Sequence, residues 1–154
     1  MLNRIFPEHF GNHYRGHRFA LWLFSPLTFV NMAIALVAIF RKDGGAQSAD
    51  GIPLDTFVAG GAETVIGIVA ILGLAKLFLG LFSVLALVRY RSMIPLMYVV
   101  VVAEQLGRKG IGLMKPIAHI GTPTGGFVNL AIITLSIVGL VLSLRGKGYL
   151  PTPK

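Results

Sequence analysis

Two residues in an otherwise apolar stretch carry the strongest chemical signal, Lys76 and Glu104. Each lies 14 residues from Tyr90, on opposite sides of it. If Tyr90 centres a tight turn between two helices, both side chains sit at one depth, on the order of 20 Å from the turn at 1.5 Å per residue. A lone ammonium near mid-membrane costs about 2.5 kcal/mol or much more, and a carboxylate at matching depth offsets much of that. The spacing therefore predicts an ion pair, or a shared-proton pair, between them. Such a pair either fixes helix register or passes a proton. Other pairings compete. Glu104 is spaced to meet Arg108 one turn on, and Lys76 can snorkel on its long stem or meet an acidic group on a partner subunit.

The remaining chemistry-bearing residues point to no catalysis. His9, His13 and His17 stand four apart and would share a face on a helix, where histidines at that spacing can hold zinc or copper. Gly11 and Gly16 weaken that helix, and Glu8 is the one nearby carboxylate. These three are weak metal candidates, and the arm reads better as a protonatable segment lying on headgroups. His119 falls in a loop, so no pair of intramembrane histidines exists to ligate haem. The chain has no cysteine, which excludes disulfides, thiolate metal sites and cysteine nucleophiles. GKGYLP and AGGAET lack the context of a phosphate loop. Ser25-Pro26 reads as a helix kink rather than a nucleophile. The expectation is a protein that is not an enzyme and holds no cofactor beyond bound lipid.

The elements that position Lys76 and Glu104 follow from composition. Of 154 residues 55% are hydrophobic and 13% charged, and the mean hydropathy is +0.76. A soluble domain carries roughly 25% charged residues, so a small polytopic membrane protein remains. A spanning helix needs roughly 20 apolar residues. Four segments qualify, at about 19–40, 62–88, 92–114 and 126–144. The third is the least clean, because Glu104, Arg108 and Lys109 interrupt it; continuity to Met114 is favoured because no proline occurs between Glu104 and Pro116. The expected fold is all-α, four transmembrane helices in an antiparallel bundle forming a single domain. Residues 1–18 form a basic arm, 41–61 a polar loop, 89–91 a tight turn, 115–125 a Pro/Gly-rich loop and 145–154 a basic tail.

Orientation follows from lysine and arginine in short loops. The arm, turn and tail carry Arg4, Arg15, Arg18, Arg89, Arg91, Arg145, Lys147 and Lys154. The opposite loops carry Arg41, Lys42, Arg108, Lys109 and Lys115. Both termini are therefore expected in the cytoplasm, with loop 41–61 periplasmic and the first helix a retained signal anchor. The net charge of +8 then reflects topology and attraction to anionic headgroups, with Arg15, Arg18, Arg89, Arg91, Arg145 and Lys147 as the contacts. No soluble basic face exists for nucleic acid.

Small and polar residues form stripes at helical spacing. They are Thr28, Asn31, Ala35 and Ala38 in the first helix, and Gly73, Lys76, Gly80 and Ser83 in the second. The fourth helix has Asn129, Ser136, Gly139 and Ser143. Lipid gives helices no hydrophobic drive to associate, so small residues that permit close approach should face the interior. Tyr98 is expected to hydrogen-bond there too. The stretches GIPLDTFVAGGAETV and LVRYRSMIPLMY resemble a group of small four-helix bacterial inner-membrane proteins. That resemblance implies a bacterial inner membrane and carries no activity or catalytic residues.

The function expected from these readings is a non-catalytic membrane subunit or assembly factor, packed on a larger complex such as a respiratory or photosynthetic one. The alternative is a small homo-oligomeric transporter or proton-coupled channel that uses Lys76 and Glu104 with Asn31 as an interior neighbour. A third reading is a module binding pigment, quinone or haem. Partners are membrane lipids and either other membrane subunits or further copies of the chain.

Overall fold

The first helix, α1 (Arg18–Phe40), opens where the His17 ring accepts the amide of Phe19 at 3.2 Å. A side-chain acceptor at this position satisfies one of the amides a helix start leaves free. Pro26 lies inside α1 without ending it. After Phe40 the chain turns through Gly44 and Gly45, whose φ angles of 60° and 83° suit glycine. A short 3₁₀ turn (Leu54–Thr56) leads into α2 (Ala59–Val88), 30 residues and about 45 Å long. A second 3₁₀ turn (Arg91–Met93) precedes α3 (Ile94–Met114), which carries proline in its first turn, where no helical amide is needed. α4 (Thr124–Leu144) completes the bundle. The computed structural model describes residues 5–6, 11–14, 16–120 and 124–145; among these there is no strand.

Three of the helices are long and apolar enough to cross a membrane, α1, α2 and α4. α3 is continuous to Met114, as the absence of proline between Glu104 and Pro116 suggested, but its second half holds Glu104, Arg108 and Lys109. α2 starts three residues before the expected Ala62. Two glycines disfavour helix there, but the turn directly beyond packs down: Ala62, Val65, Ile66 and Val69 lie under Ala46, Ile52 and Leu54 of the preceding loop. α4 likewise begins at Thr124 rather than 126.

The helices run up and down in sequence. At one end the arm meets the α2–α3 turn, where the Gly11 amide donates to Ser92 Oγ at 3.0 Å and the Ser92 amide to the Gly11 carbonyl at 3.1 Å. The His17 amide reaches the Leu142 carbonyl of α4 at the same end, at 3.4 Å. At the other end the two long loops join. The Ile120 amide donates to Gly51 at 2.8 Å, the Gly125 amide to Ala49 at 2.9 Å, and His119 Nδ1 lies 2.7 Å from the Asp50 carbonyl oxygen. Gly51 accepts this pairing with φ of 69°.

Around the bundle the order is α2, α1, α4, α3. α1 packs extensively on α2 and on α4, and α4 packs on α3, while α2 and α3 barely meet. The main core gathers Ala20, Phe24, Leu27, Ile94, Tyr98 and Ile132 near the arm end. Phe24 and Tyr98 meet edge-on at 4.9 Å, and the Tyr98 hydroxyl donates to the Ala20 carbonyl at 2.7 Å. Tyr98 fits because Gly139 has no side chain: a Cβ there would fall on the ring.

Candidate functional site

The interior stripes meet where the spacing placed them. Gly73, Lys76, Gly80 and Ser83 are all buried on α2, and Thr28, Asn31 and Ala35 on α1. On α4 Ser136, Gly139 and Ser143 are buried, while Asn129 is half-buried. Most of the polar members satisfy themselves locally. Thr28 donates to Phe24 O at 2.8 Å, Asn31 Nδ2 to Leu27 O at 2.9 Å and Ser83 to Leu79 O at 2.9 Å. Such bonds to the preceding turn remove the cost of a bare hydroxyl in an apolar interior.

Lys76 does not. Its Nζ lies 3.8 Å from Glu104 Oε1, and the two side chains are 8% and 24% exposed. At that distance the ammonium is ion-paired but makes no hydrogen bond. Arg108 reaches the same Glu104 oxygen from one turn on, at 3.5 Å. The two pairings that compete in the sequence thus coexist, with one carboxylate between a buried and an exposed cation.

Beside this pair all four helices wall a cleft of about 420 Å³, mouth included. Phe24 and Leu27 of α1, Leu79 of α2 and Val101 of α3 supply apolar walls. Asn31, Lys76, Glu104 and Ser136 supply polar points. Ser136 Oγ is fully buried and has no hydrogen-bond partner. Leu79, Val101 and the unpartnered, buried Gln105 were not marked by the sequence pattern. Gln105 follows Glu104 directly, and that adjacency was the one signal available.

Outside the helices, Arg18, Arg89, Arg91 and Arg145 are exposed at the arm end. Arg15, Lys147 and His9 lie outside the described residues. His13 and His17 are exposed and precede α1, so no helix gathers them, and His17 Nδ1 is engaged as the cap of α1. No group of three metal-ligating side chains occurs among the described residues. Burial pushes the Tyr14 phenol, in the arm, up to about 12. In loop 41–58, burial alone would raise the Asp43 carboxyl. The Ser48 hydroxyl, the Ser48 and Gly45 amides and the nearby Arg41, 3.1 Å away, outweigh it and hold the group at about 2.

No protein-family model, curated protein or solved structure matches the chain.

Proposed function

We propose that the chain is a multi-pass protein of the bacterial inner membrane, with four crossing helices and both termini in the cytoplasm, and that it serves as a non-catalytic subunit or stabilising factor of a larger membrane complex. The observation that carries this reading is the second half of α3. Beyond Gln105, side chains added at Gly107, Gly110 or Gly112 would meet open space, and Leu106, Ile111, Leu113 and Met114 are exposed. Arg108 and Lys109 project from the same segment. Charges on a crossing helix are costly against lipid and cheap against protein. A second polypeptide covering this half of α3 would remove that cost. The basic arm end would hold the cytoplasmic orientation and touch anionic headgroups.

Extraction of the particle from its native membrane in a mild detergent tests this. Other polypeptides at fixed stoichiometry are expected, and an isolated monomer would contradict the reading. A second reading draws on the Lys76–Glu104 pair beside the cleft: a homo-oligomeric transporter or proton-coupled channel. It requires a pure homo-oligomer and flux above empty vesicles at some pH.

A further inference from the structure

α3 changes its surroundings half-way along. Ile94, Met97, Tyr98 and Gln105 are buried and hold it to the bundle. From Leu106 to Met114 each residue is exposed except the half-buried Gly110. The helical period carries the buried line on through Arg108, Lys109 and Gly112, while Leu106, Gly107, Gly110, Ile111 and Met114 fall on the opposite arc. The charges therefore continue the arc that packs on protein upstream, and the apolar residues continue the outward one. The two cations differ. Arg108 reaches Glu104 at 3.5 Å, whereas Lys109 is ion-paired to no carboxylate among the described residues. Helical side chains lean toward the N-terminus, so the Lys109 stem is aimed toward mid-membrane and away from the loop end. Close to it, a Cβ on Gly112 would meet nothing within 4 Å, so another backbone can come near.

We infer that this arc seats a crossing helix of another polypeptide, and that an Asp or Glu side chain of that helix pairs with Lys109. The inference rests on the subunit reading and adds what the partner brings: a carboxylate at the depth of Lys109 and an apolar face beside Gly112. Ionisable groups within a membrane pair with one another or face water, and this cation has no partner within the chain. A second copy does not supply one. Lys109 lies 19 residues after Tyr90, level with Ile71, 19 residues before it. The exposed carboxylate on a helix, among the described residues, is Glu63. It lies eight residues from Ile71 toward the loop end, about 12 Å at 1.5 Å per residue, and copies side by side share one depth.

Carbodiimide coupling in native membranes tests this. A membrane-permeant carbodiimide joins a carboxylate to an adjacent amine as an amide and takes up the lost oxygen as a urea. Coupling of Lys76 to Glu104 within the chain shows that the reagent reaches the bundle. Mass spectrometry is expected to find Lys109 joined to an Asp or Glu in an apolar segment of one other polypeptide, and no such link in Lys109→Arg. Lys109→Arg should still retain that polypeptide through mild extraction, and Lys109→Gln should retain about tenfold less of it, as loss of a charged hydrogen bond implies. A second measurement needs no carboxylate chemistry: benzophenone on Gly112→Cys should attach to the same polypeptide, and on Gly110→Cys to lipid alone. Coupling at Lys76 with none at Lys109, coupling of Lys109 to a second copy, or attachment of Gly112→Cys to lipid alone would overturn the inference. Equal retention of other polypeptides by the wild type and Lys109→Gln would overturn it and leave the subunit reading standing, whereas an isolated monomer would overturn both.

Discussion

The seam between α1 and α2 and the seam between α2 and α3 are built on opposite plans. On the first, missing side chains bring backbones together. A Cβ on Gly73 would stand 2.7 Å from Ala38 Cβ and 3.1 Å from the Ala35 carbonyl, and one on Gly80 would stand 2.5 Å from Met32 Cγ. On the second, α3 presents Val101, a bulky side chain on the wall of the cleft. There the helices stand apart, with Lys76 and Glu104 facing each other at 3.8 Å. In lipid, close packing has to come from small residues. Where α3 has none, charge attraction bridges the gap and a cleft remains.

The largest effect should come from the packed seam. Gly73→Leu forces a side chain against the α1 backbone and should cost about 3 kcal/mol, the upper range for overpacking. Unfolding in mixed micelles of rising sodium dodecyl sulfate measures it, and a loss under about 1 kcal/mol would mean that the seam can open at will.

The charged seam should respond asymmetrically. Glu104→Gln leaves a buried ammonium without a counter-charge and should cost about 2 kcal/mol, less than for a fully enclosed pair because the carboxylate is partly exposed. Lys76→Met leaves Glu104 with Arg108 and should change stability by about 1 kcal/mol or less. The double variant should recover most of the Glu104→Gln loss. Equal losses for both single variants would show that Arg108 does not hold the carboxylate.

The helices were legible because each long apolar run can satisfy its backbone in lipid only as a helix. The stripes through Gly73 and Gly80 and through Ser136 and Gly139 were legible because burial follows the helical period. The equal depth of Lys76 and Glu104 needed only the tight turn at Tyr90. The separation of α2 from α3 was hidden, since sequence neighbours joined by a short turn are expected to pack. So was the junction of the two loops, because Gly51–Ile120 and Ala49–Gly125 are backbone bonds that leave no mark on side-chain type.

The smallest effect concerns the loop on α2. Asp43 is held at about 2, below the ordinary aspartate value of about 3.9. Its contribution is full above about pH 4 and is lost as pH falls toward about 2. Amide exchange at Gly45 and Ser48, corrected for intrinsic rate, should be unchanged from about pH 7 to 5 and rise below about pH 4. Asp43→Asn should raise it already at neutral pH, and no difference would mean that the Arg41 and amide contacts do not order the turn.

The proposed topology requires α3 to cross the membrane although its second half holds Glu104, Arg108 and Lys109. The chain has no cysteine, so single cysteines report without background. Arg89→Cys and Ile117→Cys, exposed just before and just after α3, can be labelled in intact cells with a membrane-impermeant maleimide. The account predicts labelling of Ile117→Cys from outside, and of Arg89→Cys only after the membrane is opened. Labelling of both from the same side would show that α3 does not cross.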